Sequence, residues 1–303
     1  MAGKPEDAIS DEYVLLRRLE KNRKSFTGGG DNVIGSVEYK LNTTVDWIAD
    51  TDTLSTNRVD IFDQWTTPWR QLGETVVMSS FEEAINRGEQ KKFDLLAGKL
   101  ENARVSMRSK INESLFTAQT GRAVLGLPDL ASSTPTTGTV EGINRADWTF
   151  WRNQQTTGTQ SSAAFDNLRA SMRTIHAACS KGQGSMEPEF YISTSTVVNG
   201  YEALLIANER VTSKDDSQAN AGFKSTAFKF RMADVIWDRD CPSATMYALR
   251  NDNPKIAIQS GSWFKAYPAV DPANQLLDVY KLETIMAFVT GNPRHLGVIT
   301  AIS

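Results

Sequence analysis

The sequence predicts an α+β protein on three observations. Apolar and polar residues alternate for twelve positions over 36–47, a helix with capping signals carries apolar residues every three or four positions from Phe93 to Leu115, and short strand-like runs flank a helix beyond residue 186. With 303 residues, 40% of them apolar and 23% charged, the chain suits one large or two ordinary domains and is neither a disordered polymer nor a fibrous repeat. Lys and Arg number 33 against 36 Asp and Glu, and the net charge of −3 is too balanced for a protein that coats nucleic acid by itself. Cys179 and Cys241 are the only cysteines, which excludes a disulfide framework or an all-cysteine zinc site and makes a reducing compartment the default. MAGKPEDAIS has no apolar signal core, and no window approaches the ~20 apolar residues of a membrane span, so a soluble, non-secreted chain is expected.

Taken in order, Ser10 is a candidate N-cap, with Asp11 and Glu12 in the first turn and Arg17, Arg18, Lys21, Arg23 and Lys24 toward the far end, as a helix dipole favours. Val14, Leu15, Leu16 and Leu19 form a narrow apolar stripe, and Gly28-Gly29-Gly30 then detaches the helix as an arm. The basic cluster reads as dipole complement and solubility, or as contact with an acidic partner or DNA.

Val37, Tyr39, Leu41, Thr43, Val45 and Trp47 then alternate with polar residues. A mean strand has about five or six residues, so this run is long enough to project from a core. A polar turn at 50–57 and a return through Val59, Ile61, Trp65 and Trp69 complete a two-stranded loop, marginal alone unless its apolar face meets something else. Ser79 and Ser80 with Glu82 and Glu83 form overlapping capping boxes ahead of a helix over 90–117, ~42 Å long at 1.5 Å per residue. Residues 118–138, including GLPDL, read as an irregular surface loop. TVEGINRADWTFWRNQQ leads to a helix at about 163–180. Extended runs at 188–198, 226–237, 245–249, 255–258, 276–290 and 296–302, with a helix at 197–209, make a mixed α/β region.

Chemistry is sparse. His176 and His295 have no cysteine or paired carboxylate at ligand spacing, and no nucleophile elbow, phosphate loop or dinucleotide fingerprint is present. Glu82 and Glu83 are explained by capping, and Cys241, near Arg239, reads as a small buried hydrophobe. No catalytic, metal or cofactor residues are assigned.

The order of parts, closing on IWDRDCPSATMYALRN and GNPRHLGVITAI, resembles the major capsid protein of tailed double-stranded-DNA bacteriophages, the Hong Kong 97 fold, over nearly the whole chain. The resemblance implies an N-terminal arm at 1–30, an extended β-hairpin loop at 31–78, a peripheral domain with the spine helix at 79–185, an axial mixed α/β domain at 186–285, and a C-terminal strand at 286–303 returning to the peripheral domain. It also implies a non-enzymatic shell protein that meets copies of itself as pentamers and hexamers, in the virion capsid, assembled in the host cytoplasm, with no cofactor. DNA would be enclosed without sequence-specific binding, and a portal protein and decoration proteins are further partners of such shells. With Met1 ahead of the polar arm, the family's cleaved scaffolding segment is expected to be absent and a separate scaffolding protein present. Candidate subunit contacts are Tyr39, Trp47, Trp65 and Trp69 in the loop and Arg17, Arg18 and Arg23 in the arm; for each aromatic the alternative is packing on the subunit's own core. An encapsulin-type nanocompartment shell, a soluble α/β enzyme and another virion protein are the competing readings.

Overall fold

Alternation of side chains across strands decides the architecture. The computed structural model describes residues 13–28, 30–53, 55–85, 95–158, 167–180, 186–209, 228–273 and 275–302. In chain order these form helix α1 (Val14–Lys21), strands β1 (Lys24–Phe26), β2 (Asn32–Glu38), β3 (Phe62–Pro68) and β4 (Arg70–Ser79), and helices α2 (Ser80–Ile85), α3 (Leu95–Phe116) and α4 (Leu127–Leu130). Strands β5 (Thr139–Val140), β6 (Ile143–Asn144) and β7 (Gln154–Thr157), helix α5 (Leu168–Cys179), β8 (Phe190–Ser193) and α6 (Ser195–Glu209) follow. The chain closes with β9 (Phe228–Phe230), β10 (Ala233–Trp237), β11 (Met246–Leu249), β12 (Lys255–Gln259), β13 (Lys265–Val270), β14 (Leu277–Val289) and β15 (Gly297–Thr300).

One mixed sheet runs β7-β15-β11-β8-β10-β9. Its central strands β8 and β11 are buried on both faces, and their neighbours alternate between two cores. Phe190, Ile192, Tyr247, Leu249 and Val298 face Leu15, Leu16, Leu19, Ile111 and Leu115 of α1 and α3, whereas Tyr191, Met246, Ala248 and Ile299 face Leu168, Met172 and Ile175 of α5 and Val197 and Tyr201 of α6. A sheet covered by helices on both faces reads as near-continuous apolar strands, as these do.

The second sheet is built on β14. Along one edge β4 pairs antiparallel with it over ten residues, Arg70 to Ser79, and along the other β12 and β13 follow each other, with β1 beyond β12. Val76 and Leu282 on one face of this sheet close over Ala103 and Met107 of α3.

Several expectations change. The alternation at 36–47 yields strand only through Glu38 in β2, and 39–61 carries no regular structure among its described residues, because beyond Tyr39 no described residue of the chain buries its apolar face. GLPDL is a helical turn with Leu127 and Leu130 fully buried, not a surface loop: Pro128 suits a first helical turn, and Asp129 Oδ2 accepts from Gly126 N at 2.9 Å and Gln119 N at 2.7 Å. Ser10 lies outside the described residues. The arm helix begins at Val14, and its cap comes from elsewhere: Asp238 Oδ2 accepts from Leu15 N at 3.1 Å. Positions 90–94 of the expected spine helix and 163–166 of the next helix are also outside; the described parts span 95–116 and 168–179. Residue 285, the expected division, lies inside β14, and of the elements expected with the peripheral part β7 and the C-terminal β15 belong to the sheet that holds β8 and β11, with α5 packed on its face.

Candidate assembly surface

The extended loop has a buried root and a bare tip. At the root, β2 and β3 pair antiparallel from Asn32↔Pro68 to Glu38↔Phe62. Val33, Val37 and Trp65 on one face pack with Ile143 and Trp151, whose indole Nε1 donates to Val140 O at 3.0 Å. Gly35 is opposite Trp65, and the indole lies where its Cβ would be, 2.3 Å away, so only glycine fits there. Tyr39 extends the packing by stacking on Phe150 at 5.1 Å, with Trp148 edge-on at 5.6 Å.

Beyond Tyr39 the side-chain bonds among the described residues of the loop are short-range polar ones. Asn42 Oδ1 accepts from Thr44 N at 3.0 Å, Asp52 Oδ2 accepts from Ala49 N at 2.8 Å, and Asp52 N returns a bond to Ala49 O at 3.0 Å. These are the local turns that Asn and Asp favour. Leu41, Val45, Trp47 and Ile48 stand in solvent, Trp47 with all of its surface free. Four large apolar side chains left in solvent within eight residues mark a candidate binding surface.

The predicted contact residues therefore divide. Trp47 is exposed, whereas Trp65, 8% exposed, belongs to the chain's own core. Trp69 is half-buried against Phe26, ring centroids 5.9 Å apart. In the arm, Arg18 is engaged within the chain: Nη2 lies 2.6 Å from Asp234 Oδ2 and the guanidinium 5.0 Å over the Phe190 ring. Arg23 is exposed and stacks over Trp263 at 5.6 Å, and Arg17 is exposed on α1. The arm is thus docked along the chain by Asp238, Asp234 and the Glu20–Arg108 pair at 3.8 Å.

A second exposed region lies at the far end of the β4–β14 sheet. Val77, Val279 and Val270 sit opposite one another on the face turned away from α3, and Phe81, Ile85 and Leu276 are exposed at the same end. Sequence reading did not single out these residues or Ile48; it placed Leu41 and Val45 on the apolar face of the loop without naming them as contacts. The capping box at α2 is formed, with Phe81 N bonded to Ser79 Oγ at 3.3 Å and Ser79 N to Glu82 Oε2 at 3.2 Å. Lys99 Nζ, 2.7 Å from Glu82, joins α2 to α3, and that hydrogen bond holds the Glu82 carboxyl below its usual range. Nearby, the hydrogen bond with Asp271, with burial and the charges of Asp271 and Glu83 behind it, raises the Asp278 carboxyl.

Nothing in the described residues resembles a reaction centre. Cys179 and Cys241 are buried; burial pushes the Cys179 thiol up to about 12 and the Cys241 thiol higher still, which leaves no thiolate for attack. His176, its basicity lowered chiefly by burial, sits 3.2 Å from the Tyr191 hydroxyl beneath Phe230. Among the described residues there is no cluster of His, Cys, Asp and Glu able to hold a metal, and no helix long and apolar enough to cross a membrane.

No protein-family model matches the chain, and no curated protein matches its sequence. Solved structures do match. The chain is similar over its full length to the capsid asymmetric unit of cyanophage A-1(L), at TM-score 0.76 and 17% identity, covering 97% of that chain. It is similar to the capsid of the native GTA particle at TM-score 0.63 and 11% identity, over 99% of this chain and 95% of that one. The SrpI encapsulin of Synechococcus elongatus PCC 7942 aligns at TM-score 0.65 and 11% identity, over 100% of this chain and 92% of that one. The arm, extended loop, long helix and mixed sheet thus compose the Hong Kong 97-like fold of shell-forming proteins.

Proposed function

We propose that the chain is a major capsid protein that self-assembles into the icosahedral head shell of a tailed bacteriophage and encloses its double-stranded DNA. The observation that carries this reading is the extended loop, whose tip spends its apolar residues outside the chain's own core, on a fold shared end to end with phage capsid subunits. A closed shell needs heterologous contacts repeated around five-fold and six-fold axes, and a projecting apolar loop supplies one such contact per copy. A net charge of −3 suits a wall that lets other means pack and neutralise the genome. In this reading the loop reaches neighbouring copies, Arg17 and Arg23 on the outer side of the docked arm meet them as well, the β4–β14 sheet and α3 form the peripheral part, and the β8–β11 sheet gathers at the axes. A separate scaffolding protein, a portal protein and decoration proteins are the further partners, with assembly in the host cytoplasm.

Negative-stain electron microscopy with size-exclusion chromatography of the expressed protein, alone and with a scaffolding protein, tests this. Shells or capsomer-sized rings are expected; a monodisperse monomer or dimer in both conditions would overturn it. The likeness to an encapsulin favours one second reading, a nanocompartment shell. Particles purified from the native source decide between the two: nuclease-protected DNA supports the head shell, and a protein cargo without nucleic acid supports the nanocompartment.

A further inference from the structure

The extended loop meets the body of the molecule at one buried carboxylate. Glu141 and Gly142 are the central residues of the β5–β6 hairpin, at φ +51° and +82°, the left-handed geometry of a type I′ turn. Glycine adopts it freely; glutamate does so at a steric cost, and such costs collect where a side chain must be aimed. The Glu141 side chain is aimed at two other segments. Its Oε1 accepts from the Thr67 hydroxyl of β3 at 3.3 Å and from Thr290 N, just past β14, at 2.8 Å, while its backbone carbonyl accepts from Thr66 N at 2.9 Å. Thr290 is itself fixed, its hydroxyl donating to Asn253 Oδ1 at 2.7 Å.

The other oxygen, Oε2, is buried and has no hydrogen-bonding partner among the described residues. Glu141 lines a cavity of about 140 Å³ together with Thr66, Thr67, Gln119 and Arg70, whose Nε is likewise buried without a partner. The charged groups around Glu141 are Arg145 on the same hairpin, which donates to Leu130 O at 2.6 Å, and Arg70 of β4 across the cavity. Burial raises the Glu141 carboxyl to about 8, and the bonds from Thr290 and Thr67 and the charge of Arg145 offset this only in part.

We propose that Glu141 is a protonation latch on the root of the extended loop: while it carries its proton it pins β3 to the end of β14, and on ionising it turns toward the cavity and frees the root. A buried ionised carboxylate with an unpartnered oxygen is costly, and solvation through the adjoining cavity is the nearest relief. Because the carboxyl's value in the closed latch lies above its usual one, the closed latch holds more proton than the open one. Its stabilising effect is therefore full below the usual carboxylate range and is lost as pH rises through about 8. The movement belongs to a single copy and does not depend on the shell reading.

Amide hydrogen exchange on the full-length protein between about pH 6 and 9, corrected for base-catalysed intrinsic exchange, tests it. Protection over 62–68 should fall with rising pH by up to about tenfold per unit, the limit for one proton, while 190–193 in β8 stays flat. Glu141→Gln keeps the shape without the charge and should abolish the slope. Thr67→Val removes a donor that favours the ionised form and should move the transition to higher pH. A wild-type profile without the slope at 62–68, the same slope in Glu141→Gln, or an unmoved transition in Thr67→Val would each overturn the latch. If Glu141→Gln does not fold, the wild-type and Thr67→Val profiles decide.

Discussion

The two ends of the extended loop carry the same sequence texture and opposite structures. From Val37 to Trp47 apolar and polar residues alternate, yet Val37, like Val33 before it, is buried with Trp65 whereas Leu41, Val45 and Trp47 lie in solvent. What differs is the floor. Beneath the root lie Ile143 and Trp151, and beneath the tip lies no described residue of the same chain. Period two specifies that a segment has two faces, and the partner for the apolar one is specified elsewhere. A pattern that continues past its floor marks where another molecule is expected to supply one.

Substitutions at the root should therefore cost folding, and substitutions at the tip should cost assembly. The largest folding effect is expected from Trp65→Ala. Truncating a buried tryptophan removes its transfer energy and leaves a cavity, about 3–5 kcal/mol, read as a lower denaturant midpoint for the unassembled chain. A change below about 1 kcal/mol would mean that the root, like the tip, waits for a partner before it packs.

Next in size is Gly35→Ala. The added Cβ would sit 2.3 Å from the Trp65 ring, and displacing that indole should cost about 1–3 kcal/mol. The pair sharpens the comparison, because in a Trp65→Ala background the same methyl has room and its cost should shrink toward zero. Equal costs in both backgrounds would show that the glycine serves some purpose other than admitting the ring.

Much of this was legible in advance, for physical reasons that differ by element. The four-residue spacing of Ala103, Met107, Ile111 and Leu115 marks the buried stripe of α3, and the capping box at Ser79 and Glu82 marks the start of α2, because both are local devices. Strands β8, β11 and β15 were legible because both their faces are apolar. What sequence reading missed depends on segments far apart in the chain. Asp238 caps the arm helix from 223 residues away, Glu141 meets Thr290 across 149 residues, and GLPDL is a buried turn only because Leu127 and Leu130 find the core. Trp65 and Trp47, alike as exposed-ribbon tryptophans in the sequence, part company for the same reason.

The arm offers an intermediate case, docked by polar contacts in addition to the apolar ones of Leu15, Leu16 and Leu19. Asp238 accepts from Leu15 N and from Asn112 Nδ2, at 3.1 and 3.0 Å, and burial raises its carboxyl, so its charge is held at some cost. Asp238→Ala removes both acceptors along with that cost, and a net loss of about 1 kcal/mol is expected. The measurement is limited proteolysis within residues 13–22, which should quicken while the denaturant midpoint of the body barely moves. Unchanged cleavage would mean that Leu15, Leu16 and Leu19 alone hold the arm.

The smallest effect on folding is expected at the tip, and it is the most informative. Trp47→Ala and Val45→Ser remove exposed surface that touches no core, so each should leave the midpoint of the unassembled chain within about 0.5 kcal/mol of wild type. An aromatic anchor at the centre of an interface is worth about 2 kcal/mol or more, and in a shell that loss recurs at every copy. Particle yield should accordingly collapse at concentrations where the wild type assembles, and raising the protein concentration should recover part of it. Undiminished yield would remove the tip from the assembly contacts; a midpoint lowered as far as in Trp65→Ala would show that the tip folds back on its own chain. Either result would erase the distinction between root and tip, because that distinction rests on where each face finds its floor.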